Sequence, residues 1–144
     1  MIRRTPMSAV AQGAAALALV ACSSVTDASE TPRVTLLIQR TSDSGIIAPS
    51  VSVSGQDVVV RGTFSTPCLG YGVSATARQT ADALVVTLSG RQGGEICLTA
   101  IGRFPYIGTV SGASSGTRTV VVRHVIEDAN WPVDTVINTR VVIP

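Results

Sequence analysis

From Pro32 to the end, the apolar residues come in short runs, each closed by turn-forming residues. "RVTLLIQR" (Arg33–Arg40) is followed by "TSDSG", and "PSVSVSG" (Pro49–Gly55) leads through Ser-Gly-Gln-Asp into "VVVRGTF" (Val58–Phe64). In "GVSATARQ" (Gly72–Gln79) Val73, Ala75 and Ala77 fall on one face by alternation, and in "ALVVTLS" (Ala83–Ser89) Leu84, Val86 and Leu88 do the same. That period of two predicts strands. "RQGGE" is a strong turn, after which "ICLTAIGR" (Ile96–Arg103), "YIGTV" (Tyr106–Val110), "TRTVVVRHVI" (Thr117–Ile126) and "DTVINTRVVI" (Asp134–Ile143) read as further strands. "SGASSG" and "EDANWP" connect the later ones. No run after the first thirty residues keeps apolar positions at i, i+3, i+4 and i+7, so the pattern predicts almost no helix.

Short strands at ten-residue intervals in one domain predict an all-β fold, a β-sandwich of about 7–9 antiparallel strands. A small β-barrel is the alternative. Composition agrees: 45% of the 144 residues are hydrophobic but only 3% aromatic, so the core must come from Val, Ile, Leu and Ala. The strand number and spacing resemble immunoglobulin-like modules of bacterial envelope proteins. The antibody-type signature is missing, with no Trp between Cys68 and Cys97 and no Tyr two residues before Cys97.

The first thirty residues follow another pattern. Arg3 and Arg4 precede an Ala-rich apolar stretch that ends at Ala21 in a Ser/Thr-rich segment. The stretch is shorter than the roughly 20 residues a spanning helix needs. A positive start, a short apolar run and small residues at its end describe a secretory signal peptide. Leu19-Val20-Ala21-Cys22 resembles the lipobox of bacterial lipoproteins. The resemblance implies cleavage before Cys22, acylation of Cys22 (palmitate among the chains) and attachment to membrane lipid. With Ser23 rather than Asp after the cysteine, it implies the outer membrane where the organism has one. Residues 1–21 are then the signal peptide, 22–31 a polar tether and 32–144 the folded domain.

Removing the signal changes the charge. The chain has eleven basic residues, all Arg, and nine acidic ones. Without Arg3 and Arg4 the signs balance, and the other Arg are scattered one per strand or turn rather than clustered. That distribution argues against nucleic-acid binding.

It also changes the cysteine arithmetic. With Cys22 assigned to lipid, Cys68 and Cys97 remain as a pair in an exported, oxidising setting, which predicts a disulfide. The bridge closes a loop of about 28 residues, worth about 3–4 kcal/mol by chain entropy. No CxxC or Cys-His cluster points to a metal, and no cofactor motif is present.

Candidate chemistry is sparse. "GASSG" (Gly112–Gly116) matches the form of a nucleophile elbow at Ser114, but it joins two strands and no Asp or Glu lies between Ser114 and the only His, His124. His124, between Arg123 and Val125, is expected on the exposed face of its strand. "LGYG" (Leu69–Gly72) matches a channel filter only by accident. Paired carboxylates are not proposed by any spacing. Phe104, Tyr106 and Trp131, in or beside loops with Pro105 and Pro132, are candidate binding anchors or plugs for the ends of the sandwich.

The expected protein is therefore a lipid-anchored envelope module with a non-catalytic binding or structural role, its partner an unidentified envelope protein or glycan. An enzyme or enzyme inhibitor on the same scaffold would need convergent polar groups in a pocket. A lipocalin-like carrier would need a closed barrel around an apolar cavity.

Overall fold

A computed structural model of the chain describes residues 31–39, 45–94, 97 and 100–144. The expected signal peptide, Cys22 and most of the expected tether lie outside the described residues. Among the described residues there are eight strands: β1 (Arg33–Ile38), β2 (Ser50–Ser54), β3 (Asp57–Thr66), β4 (Tyr71–Gln79), β5 (Ala83–Gln92), β6 (Gly102–Ser111), β7 (Gly116–Ile126) and β8 (Asp134–Ile143). They form two four-stranded sheets, ordered β1-β6-β3-β2 and β4-β5-β7-β8. The fold is a β-sandwich. Its sheets meet along the seams β1/β4 and β2/β8 without a ladder between them, so no barrel closes. The carrier reading thereby loses the enclosure it required.

All ladders are antiparallel but one, that of β5 with β7. The exception follows from connectivity: β6 crosses to the other sheet and the chain returns in β7, so β5 and β7 point the same way.

Alternation does the sorting. Leu84, Val86 and Leu88 on β5 are fully buried, as are Val58, Val60 and Phe64 on β3 and Val120 and Val122 on β7. Branched side chains on pleated, half-buried surfaces suit both propensity and packing. The hairpin between β2 and β3 turns on Gly55, whose φ of 60° at the first central position is what a type II′ turn needs.

Two expectations change in the sixth strand. It starts at Gly102, so the described residues of "ICLTAIGR" that precede it, Cys97, Ala100 and Ile101, are loop. The strand continues through "FPY", and Pro105 lies inside it rather than ending it. A proline is tolerated in this central strand because its nitrogen faces the point where β1 ends. The Pro105 carbonyl accepts the Gln39 N–H at 2.8 Å, the last contact on that side.

Strand direction gives the sandwich two unlike ends. The chain enters β1 at one end, beside the turns at 55–56, 80–82 and 112–115. The described parts of the connections 39–49 and 93–101, with 67–70 and 127–133, gather at the other. Of the large apolar side chains exposed among the described residues, Ile46, Leu69, Ile101, Trp131 and Val133 all lie in this second set of loops. Leu37 and Val142 are on strands. The Cys68–Cys97 disulfide, with Cα atoms 5.5 Å apart, joins two of these loops.

Candidate binding cleft

The site is best built from β7. Arg123 points outward, so by strand alternation His124 points into the sandwich with Val120, Val122 and Ile126. This reverses the expectation of an exposed His124. Its ring meets Phe64 edge-on with centroids 4.9 Å apart, and Tyr106 at 5.6 Å. The Tyr106 hydroxyl lies 3.1 Å from His124 Nε2. Burial lowers the His124 pKa to about 4, against a smaller opposing pull from Asp134. Burial also raises the Tyr106 pKa to about 12. Both groups are therefore neutral near pH 7, and the tyrosine can serve as donor to the imidazole.

Asp134 reaches this place through an irregularity. Val122 pairs with Ile137 and Arg123 with Thr135, which leaves Val136 without a partner. Without that bulge Asp134 would pair with Val125 and face outward. With it, Asp134 stands opposite His124 on the inner side. Bulges commonly re-aim a side chain in this way.

Between the sheets at the loop end, a cleft of about 140 Å³ is lined by Thr63, Ser65, His124, Trp131, Asp134 and Val136, among others. On the outer side of β3 a second cleft of about 360 Å³ is lined by Ile46, Ile47, Pro49, Ile101, Arg103 and Trp131. Thr63, Ser65 and Trp131 border both. Thr63 also fixes the segment before β2: its Oγ1 accepts the Ile47 N–H at 2.8 Å and donates to the Ile47 carbonyl at 3.3 Å. Among the described residues, no hydrogen bond or ion pair engages the side chains of Ser65, Arg103 or Asp134.

The three aromatic candidates separate. Trp131 is 45% exposed in the β7–β8 loop. Phe104 is half-buried on β6 against the core. Tyr106, on the same strand, has no exposed surface, so it is a core residue and not a loop anchor. Cys68 is buried and Cys97 exposed, and they are bonded to each other. Cys22 lies outside the described residues.

Ser114 sits in the β6–β7 loop, where its N–H donates to Gln79 Oε1. His124 lies near the far end of β7, about 25–30 Å away at strand rise, so the two cannot share a proton. Glu127-Asp128 starts a turn, and the Asp128 carboxylate accepts the Gln92 N–H at 2.6 Å. Among the described residues no three His, Cys, Asp or Glu side chains are grouped to hold a metal ion. No protein-family model matches the chain, and neither does a curated protein or a solved structure.

Proposed function

We propose that the protein is a lipoprotein of the bacterial envelope, held in the outer membrane by acylated Cys22, whose sandwich binds a partner through the loop end bearing Trp131. One observation carries the reading: exposed Ile46, Leu69, Ile101, Trp131 and Val133 are collected at the end opposite the chain's entry. An anchored domain is free to use its far end. Apolar loop residues around clefts with unengaged polar groups are what a recognition surface needs. The disulfide supports the same reading, because tying two loops together lowers the entropy lost on binding.

Two experiments test it. Cys22→Ser should move the protein from the membrane to the soluble fraction; a variant that still pellets with membranes overturns the anchor. A photo-crosslinking amino acid in place of Ile101 should give a discrete adduct in intact cells, and one in place of Gln56 at the opposite end should not. Adducts at position 56 alone, or at neither position, overturn the loop-end reading.

A further inference from the structure

We propose that the two clefts flanking β3 take an extended peptide segment of a protein partner, with a lysine side chain in the inner cleft and a neighbouring aliphatic side chain in the outer one. The proposal rests on the loop end being the recognition surface and adds the chemistry of what it recognises.

The inner cleft is built for a cation. Its charged group is the Asp134 carboxylate, turned inward by the unpaired Val136 and unengaged by any cation among the described residues. Beside it stands the exposed Trp131 ring, which attracts a cation to its face, while Thr63 and Ser65, whose side chains alternate outward from buried Phe64, form the rim toward the outer cleft. His124 shares the cleft but stays neutral near pH 7, so it does not repel positive charge. The space is narrow enough for a slim aliphatic stem and too small for a bulky ligand.

The outer cleft is complementary in another sense. Ile46, Ile47, Pro49 and Ile101 make it apolar, and Arg103 at its border disfavours a second cation. The two clefts lie on opposite sides of β3 and share Thr63, Ser65 and Trp131. An extended chain sends successive side chains to opposite sides, which matches that arrangement. A lone ammonium at such an open site should bind weakly, so the adjacent aliphatic contact is what gives useful affinity.

Trp131 is the chain's only tryptophan, so its fluorescence reports on both clefts. The full chain in neutral detergent at pH 7 is titrated with acetyl-Gly-Lys-Leu-Gly-amide and with the same peptide carrying norleucine in place of lysine. The lysine peptide should give a saturable shift and the norleucine peptide a half-saturation at least ten-fold higher. Asp134→Asn should erase that difference while leaving the unfolding midpoint within a few degrees. n-Butylammonium should compete with the peptide, and n-butanol and butyrate should not. Equal binding of both peptides, or a lysine preference that survives in Asp134→Asn, would overturn the proposal. So would the absence of any saturable response. If crosslinks at position 101 persist while the peptides fail, the peptide chemistry is wrong and the loop-end reading stands.

Discussion

At the scale of single residues, the Tyr106–His124 contact sets how the fold responds to acid. The unfolded imidazole has its ordinary pKa of about 6.5, and burial in the fold lowers it to about 4. Above pH 6.5 both states are neutral and stability does not depend on this group. Between pH 6.5 and 4 the unfolded chain takes up a proton that the folded chain refuses, so stability falls as pH falls. Below 4 the contribution levels off. The total is about 1–2 kcal/mol, less than the full shift implies because part of the ring is exposed and screened by solvent. Urea midpoints measured from pH 7.5 to 4 should decline in the native sequence and decline less in His124→Gln. Parallel curves for the two proteins would show that other groups set the acid response. The position of this histidine was readable in principle: Arg123 belongs outside, and its strand neighbour must point the other way. The apolar residues on both sides of the pair hid that parity. Asp134 was not readable, because a one-residue bulge inverts the faces of β8 before it and leaves no mark in the pattern of Val and Thr.

Between elements, the close approach of β3 and β6 depends on a residue without a side chain. Gly62 pairs directly with Tyr106. A Cβ at Gly62 would stand 2.7 Å from the Tyr106 hydroxyl and 3.0 Å from the ring carbon that bears it. The tyrosine is fully buried and its hydroxyl is held against His124, so it has little room to yield. Gly62→Ala should therefore cost about 1–3 kcal/mol as an overpacking change. Tyr106→Phe should cost about 1 kcal/mol for the lost hydrogen bond and the buried Nε2 left behind. The two should not add. Removing the hydroxyl relieves the shortest contact made by the new methyl group, so the double variant should be more stable than the sum predicts. Strict additivity in a denaturant double-mutant cycle would mean that the strain lies elsewhere.

Strand alternation had already marked β4 and β5 and most of β7, since their apolar positions repeat every second residue. The sixth strand was less legible for two physical reasons. Its proline reads as a terminator unless the end of β1 beside it is known, and "ICLTAIGR" has strand composition although Cys97, Ala100 and Ile101 lie in a loop that carries the disulfide. Of the candidate cleft, sequence offered Trp131 alone. Thr63, Ser65, Arg103 and Asp134 are ordinary strand residues whose convergence is set by packing.

The same disulfide links loop order to stability. Its two cysteines are separated by 29 residues, for which chain entropy gives about 3.5 kcal/mol. Cys68→Ala with Cys97→Ser should lower the unfolding free energy by about that amount. It should also free the segment carrying Ile101, so affinity at the loop end should fall by more than stability alone explains. Comparing binding under conditions where both proteins are fully folded separates the two effects. An unchanged affinity there would mean that the bridge serves stability alone.

Over the whole molecule, the polarity of the sandwich makes a claim about its attitude to the membrane. Ten-residue strands place the loop end about 30 Å from the end where the chain enters. In the proposed arrangement, the roughly ten residues that follow Cys22 would hold the entry end near the lipid or at most about 35 Å from it. The alternative is that the exposed Ile, Leu, Val and Trp loops dip into lipid themselves, and Trp131 discriminates between these arrangements as the chain's only tryptophan. When the acylated full chain is anchored in vesicles containing brominated lipid, Trp131 fluorescence should match that in unbrominated vesicles, because bromine quenches only near contact. Added aqueous acrylamide should quench it equally in both. Quenching by brominated lipid would put the apolar end in the bilayer and leave the clefts unavailable to a soluble partner. An unquenched Trp131 would leave the five exposed apolar residues facing the aqueous side, where only a second macromolecule can cover them.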